Sequence, residues 1–388
     1  MNKITFCIPS KNNLRYLKNS IRSIKQNSTI EHDIIVYIDL DQDGTENWLK
    51  DNHIKYIKNE LNTPRGIAFA YNRCIEIANT KVVCMFHADM FMGKNFDVNL
   101  LKHLKPKTIV SATRIEPPLH PAGKEKLIRD FGMYPEDFLE LEFNREVELL
   151  QQHLECKDQI TNGIFAPWAC YINELVDIGM HDDILLHSYH EDSDIFNRMI
   201  LNGMKCIQSR DSFVYHLTCR GGQFQDGIEQ ITKDQQFHSM KHTAARNYLR
   251  KWGSWIKNDS YQHPIISPKY NIAIVLTNGN IHALETLEPW CDRIYVENKF
   301  DYIQKEQPNT KFDLSKRVMT IGLNDPQSEN DIVIEIDANK FNQRSFELLQ
   351  QLPLIIKESG DIGTFELEDL KITINQMEEK QNDLIKLV

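Results

Sequence analysis

The feature that most constrains this chain is a regular alternation of short apolar runs with amphipathic helical patterns between Lys3 and Lys105. Apolar runs at 4–8, 34–40, 54–58 and 82–87 are separated by helical patterns at 14–26, 46–52 and 66–79. Strands that alternate with helices of this length read as a mostly parallel sheet with crossover helices, an α/β fold. Ligands of such sheets collect outside the carboxyl ends of the strands. Pro9-Ser10-Lys11, Asp39 to Asp43 and His87-Ala88-Asp89 occupy those ends, so polar side chains stand where the fold rule places a site.

With 388 residues the chain exceeds what one core comfortably serves, and two domains are expected. Residues 117–158 are punctuated by proline and then acidic and helical, which suggests that the 115–160 block is an insertion or a cover on the acceptor side. Apolar character returns at 164–172, followed by helical patterns at 173–178 and 190–202 and a strand at 212–217. A polar helical stretch runs from Gly221-Gly222 to Lys251. Residues 258–269, with Pro264 and Pro268, form the expected linker between a domain over 1–257 and a smaller α/β domain over 270–388. In that second series strands are expected at 271–276, 293–297, 318–322 and 331–336, an apolar run at 354–358, and helices at 281–289, 342–351 and 367–387. No internal repeat is apparent. The turn Thr277-Asn278-Gly279-Asn280 follows a strand but lacks the spacing of a dinucleotide or P-loop fingerprint.

Composition narrows the partners. A net charge of −10 argues against a nucleic-acid polymer, which requires clustered Lys and Arg. No apolar run approaches the ~20 residues of a membrane-spanning helix. The first residues read as a strand rather than a signal peptide, and the eight cysteines show no CxxC pairing, so a cytoplasmic chain with reduced thiols is expected.

Four constellations bear on chemistry. His87 and Asp89, two residues apart at a strand end, suit capture of one divalent ion, although a polar turn after a strand accounts for them as well. Ser188 to Arg198 is a dense acidic cluster leading into a helix; capping and the helix dipole explain single acids there, while a carboxylate so placed could serve as a general base. His216 closes a strand and is either structural or a third ligand. Arg65-Gly66 before a helix carrying Tyr71-Asn72-Arg73 could hold phosphate oxygens on backbone N–H groups.

In their order these pieces resemble glycosyltransferase family 2, inverting nucleotide-sugar enzymes of GT-A fold. The resemblance covers about residues 3–253. It rests on Ile8-Pro9-Ser10-Lys11-Asn12-Asn13, on Val36-Tyr37-Ile38-Asp39 running into Asp41-Gln42-Asp43-Gly44-Thr45, on Arg65-Gly66 with Ala70-Tyr71-Asn72, and on Lys251-Trp252-Gly253. The family's Asp-x-Asp falls on His87-Ala88-Asp89, with His in place of the first acid, and its Glu-Asp pair falls on Glu191-Asp192, followed by Asp194 and Arg198. The resemblance implies a metal-dependent, inverting transfer of a sugar from a nucleotide-sugar donor, UDP-sugar favoured, to a glycan or other hydroxyl acceptor. It assigns Mn2+ or Mg2+ to Asp89, His216 and His87. Donor binding goes to Pro9, Ser10, Asp39, Arg65, Asn72 and His87, and catalysis to Asp192 as base with Glu191 orienting the acceptor. A lipid-linked acceptor would bring the protein to a membrane periphery without a spanning helix, and the oligomeric state is left open. Two alternatives remain: a nucleotidyltransferase, which would want a Gly-rich phosphate loop that 9–13 lacks, and a catalytically degenerate nucleotide- or carbohydrate-binding protein.

Overall fold

The computed structural model describes residues 2–185, 189–218, 235–323 and 326–387. The chain divides into two compact units: Met1–His238 with Asn258–Pro264 and Lys386–Val388, and Ser239–Lys257 with Ile265–Ile385. The expected linker therefore contributes 258–264 to the first unit and 265–269 to the second.

In the first unit the expected strands appear as β1 (Ile4–Lys11), β2 (Asp33–Leu40), β3 (Lys55–Lys58) and β4 (Val82–Met85), parallel in the order β3-β2-β1-β4. Near-continuous apolar runs such as Ile35-Val36-Tyr37-Ile38 suit strands covered on both faces, and these four are buried. The crossovers are α1 (Leu14–Asn27), α2 (Thr45–Asp51) and α3 (Ile67–Glu76). In α1 the buried residues Tyr16, Leu17, Ser20, Ile21, Ser23 and Ile24 recur at three- and four-residue spacing, one stripe turned inward.

The other half of the sheet is mixed: β5 (Met90–Met92), β6 (Thr108–Glu116), β7 (Lys126–Ile128), β8 (Ile160–Thr161), β9 (Trp168–Tyr171) and β10 (Lys205–His216). The path continues β4-β9-β6-β10-β5, with β7 beside β6 and β8 beside β10. Helices α4 (Phe96–Leu101), α5 (Glu140–Leu150), α6 (Ile172–Val176) and α7 (Glu191–Leu201) fill in around it. Within the 115–160 block, Phe131, Phe143 and Val147 join Phe91, Ile115 and Tyr215 in one buried cluster, and Phe138 stacks on Tyr215 at 5.2 Å. The block thus lies on the sheet. The seven described cysteines are buried and unpaired.

The second unit holds the helix Gln235–Trp252 from Ser239 onward and a sheet of β11 (Ile272–Thr277), β12 (Arg293–Val296), β13 (Val318–Thr320), β14 (Ile332–Asp337), β15 (Gly363–Leu367) and β16 (Leu370–Ile374), ordered β13-β12-β11-β14-β16-β15. Two sequence expectations are corrected here. The run at 354–358 belongs to the helix Gln343–Ser359, which accommodates Pro353, and the expected terminal helix over 367–387 is instead the β15–β16 hairpin followed by irregular chain.

The sheet also exposes a likeness that the sequence hid. Both units open with parallel strands ordered third, second, first, fourth, and in both the fourth strand next meets an antiparallel neighbour. The parallel ladders begin at Ile4 opposite Val82 and at Ile272 opposite Ile332. Superposing those registers sets His87-Ala88-Asp89 against Asp337-Ala338-Asn339. The Asp337 carboxylate is occupied locally, accepting from Asn278 Nδ2 at 3.0 Å and from the Asn339 amide at 3.1 Å. No helix among the described residues is long and apolar enough to cross a membrane.

Candidate active site

The site begins where β4 ends. Residues 86–89 turn into β5, with the Met90 amide donating to the His87 carbonyl at 3.2 Å. β5 runs antiparallel beside β10, and their register places His216 opposite Met90, while the Leu217 amide donates to the Asp89 carbonyl at 3.0 Å. Strand pairing therefore brings His216 to Asp89 across a long stretch of sequence. One ligating atom each from His87, Asp89 and His216 lie within 4.8 Å of one another, the one such group of imidazoles and acids found among the described residues. Two imidazole nitrogens and a carboxylate oxygen suit Mn2+ and similar divalent ions, so the residues present fit the expected metal.

Electrostatics separates the two imidazoles. Burial pushes the His87 pKa down to about 4, with Asp89 opposing only in part, so this ring is neutral. Burial also lowers that of His216, but Asp89 and Glu116 outweigh it and push it up to about 9. His216 stands between them, Nδ1 2.9 Å from Glu116 Oε1 and Nε2 3.6 Å from Asp89 Oδ1.

Glu116 was not among the residues expected from sequence. It ends β6, is 1% exposed, and meets Arg114 Nη1 at 2.7 Å and Lys126 Nζ at 2.8 Å. Burial alone would raise its pKa; His216 and Arg114 hold it below the ordinary carboxylate range. The local sequence signal is only a charge alternation, Arg114-Ile115-Glu116, at the end of an apolar run.

The acidic cluster divides by role. Tyr189 (φ 91°) and His190 (φ 70°) are left-handed, unusual for residues with side chains, and they deliver the chain into α7. Glu191 is buried and its Oε2 has no hydrogen-bond partner, whereas Asp192 is half-buried. Burial pushes both carboxyls up, and the Asp192 charge adds to the effect on Glu191. The Arg114 charge acts on both Asp192 and His87. Asp194 and Arg198 pair with each other inside the protein.

The expected donor residues lie at the carboxyl ends of β1 and β2 and along α3. Pro9 is opposite Tyr37, and buried Ser10 donates from Oγ to Asn13 Oδ1 at 2.7 Å. Asp39 accepts the amides of Arg65 at 2.7 Å and Gly66 at 3.1 Å, fastening the start of α3 to the end of β2. The Arg65 guanidinium lies 4.1 Å over the Phe69 ring. Asn72 is committed to the His181 backbone, donating to its carbonyl at 2.8 Å and accepting its amide at 2.9 Å. Ser188 and residues 219–234, with Gly221-Gly222 among them, lie outside the described residues.

A mostly parallel α/β sheet in this strand order is in keeping with a glycosyltransferase domain of GT-A architecture, the class to which a family match over the first part of the chain points. Residues 5–156 match the family described as Glycosyl transferase family 2. No curated protein sequence matches the chain. Among solved structures it is similar to GalNAc-T7 with UDP, GalNAc and Mn2+, at 13% identity over 56% of this chain and 44% of that one, TM-score 0.43. It is also similar to the mannosyltransferase PcManGT from Pyrobaculum calidifontis in complex with GDP-Man and Mn2+, at 15% over 64% and 62%, TM-score 0.39. A third is S. aureus TarS 1-349 in complex with UDP-GlcNAc, at 12% over 64% and 66%, TM-score 0.41. The chain spans less than two thirds of each of these three.

Proposed function

We propose that the chain transfers a sugar from a nucleotide-sugar donor, a UDP-sugar in the first instance, to a hydroxyl acceptor with inversion at the anomeric carbon, in glycan or polysaccharide synthesis. The observation that carries this reading is the closing of His87, Asp89 and His216 into one donor set at the carboxyl end of β4, in a family 2 domain. A divalent ion, Mn2+ or Mg2+, held there supplies positive charge beside the departing diphosphate.

The chain's own groups have separate tasks. Pro9, Ser10, Asp39 and Arg65 border the nucleoside, and Asn72 steadies α3 against the His181 backbone. Asp192 takes the acceptor hydroxyl proton as that oxygen attacks, a contribution of about 10²–10⁴ in rate, and Glu191 orients the acceptor. Work on a lipid-linked acceptor would place this otherwise cytoplasmic protein at a membrane surface.

A thermal-shift screen of UDP-, GDP-, CMP- and dTDP-sugars, each with and without Mn2+ or Mg2+, tests the reading, because a ligand of the native state raises stability by mass action. The expected result is a metal-dependent shift with one nucleotide class that disappears with EDTA. A shift indifferent to metal would remove the ion from the reading. No shift with any donor would point to the degenerate binding protein instead.

A further inference from the structure

A histidine serves as a metal ligand through one ring nitrogen, and which one is set by the hydrogen bond that the other makes. At His216 that bond goes to Glu116. Its Nδ1 is 2.9 Å from Glu116 Oε1, while Nε2 faces Asp89 Oδ1 at 3.6 Å, and one ligating atom each of His87, Asp89 and His216 lie within 4.8 Å of one another. An ionised carboxylate only accepts, so Nδ1 carries a hydrogen in either charge state of the ring, and Nε2 is the nitrogen presented to an ion. Glu116 is in turn kept from swinging, because Arg114 meets the same oxygen at 2.7 Å and almost none of the side chain reaches water.

We propose that Glu116 is a positioning residue that fixes the tautomer and the ring orientation of His216 for a divalent cation. The proposal rests on the metal-dependent reading given above. The competing role is purely structural, with Glu116 present only to neutralise Arg114 and Lys126. The two roles differ in how cation affinity depends on the acceptor: loss of the charge alone weakens binding equally in Glu116→Gln and Glu116→Leu, whereas loss of the Nδ1 acceptor weakens Glu116→Leu further.

Binding of Mn2+ alone to the full chain, followed through the electron paramagnetic resonance signal of free aqueous Mn2+, separates them when read beside melting curves. Glu116→Leu is expected to weaken Mn2+ binding about 10–100-fold. Glu116→Gln, whose carbonyl oxygen can still accept from Nδ1, should weaken it measurably but less. Lys126→Met breaks the ion pair on the other carboxylate oxygen and lowers the melting temperature without weakening Mn2+, since removing a nearby cation favours a divalent ion. A folded Glu116→Leu that binds Mn2+ like the parent, while Asp89→Ala loses it, overturns the proposal. Parental binding in Asp89→Ala would instead bring down the metal site, and the proposal with it. Should Glu116→Leu fail to fold, Glu116→Ala takes its place beside Glu116→Gln: weaker binding in Glu116→Ala than in Glu116→Gln supports the positioning role, and equal binding in the two overturns it.

Discussion

The Arg198 guanidinium reaches back one helical turn to the Asp194 carboxylate, 2.8 Å away, with both side chains out of water. Its other nitrogens donate to the carbonyls of Ile178 and Met180, so one cation fastens α7 to the loop before it. The third acid of the cluster therefore serves the fold, which sets it apart from Glu191 and Asp192, the two acids of the proposed chemistry. Arg198→Leu would take the neutralising guanidinium from the buried Asp194 carboxylate, a loss of about 3–5 kcal/mol. Urea unfolding followed by circular dichroism should show the first unit melting earlier; an unshifted transition would refute the anchoring role.

Asp192 can act as a base only after losing its proton, and burial holds that proton to higher pH than usual, with Arg114 opposing. Transfer is expected to rise with pH along a limb displaced above the ordinary Asp value of about 3.9. Asp192→Asn should abolish that limb and lower kcat about 10²–10⁴-fold, while the thermal shift with donor and Mn2+ persists. Turnover close to the parent's would take Asp192 out of the mechanism. The raised values also bear on stability. The folded chain keeps protons on Glu191 and Asp192 that the unfolded chain has released, so their contribution is full below the ordinary carboxylate range and is lost as pH rises through the raised values.

The strand-end residues could be read in advance because local pattern and final position coincide there. Buried parallel strands are written as unbroken apolar runs, and Ser10, Asp39 and Asp89 come within three residues of the ends of such runs. Glu116 could not be read this way, since its task comes from β10 lying beside β6, which sets Ile115 opposite Tyr215. The hairpin at β15–β16 escaped for a chemical reason. Its turn, Glu368-Asp369, has Glu368 at φ 51° without the Asn-Gly or Gly that advertises such turns, although Lys371-Ile372-Thr373-Ile374 does alternate like a strand. The helix expected to end at Gln351 runs on past Pro353 to Ser359. Both strand-and-helix series were legible, but the strand order that the two units share is a matter of topology and shows only once the strands are paired.

Asp39 offers a test of how the donor end is built. Each of its carboxylate oxygens accepts one backbone N–H, from Arg65 and from Gly66. Asp39→Asn turns one acceptor into an NH2 group, so either amide orientation sets a donor against a donor and leaves one backbone N–H unpaired, at a cost of about 1–3 kcal/mol. The melting temperature should fall and the donor-induced shift should shrink in the same variant. A lower melting temperature with an undiminished donor shift would confine Asp39 to holding α3.

Glu288 makes the matching case in the second unit. It is buried against Arg250 Nη2 at 2.8 Å and Arg317 Nε at 2.6 Å, and the Tyr302 hydroxyl donates to it at 2.8 Å. Burial alone would raise its pKa, but Arg317 and Arg250 pull it down to about 2. A depressed acid contributes stability that is complete above its unfolded value of 4.5 and is lost as pH falls through about 2, so the second unit should weaken across that interval. Glu288→Gln removes the dependence and takes the neutralising carboxylate from buried Arg317, while Arg250 keeps Glu306 at 2.6 Å, destabilising the unit by about 3–5 kcal/mol near neutral pH. Melting curves at about pH 7 and about pH 3, read through the near-ultraviolet signal of neighbouring Trp290, should show a smaller drop on acidification in the variant than in the parent. Equal drops would mean that the acid sensitivity of the unit comes from other carboxylates.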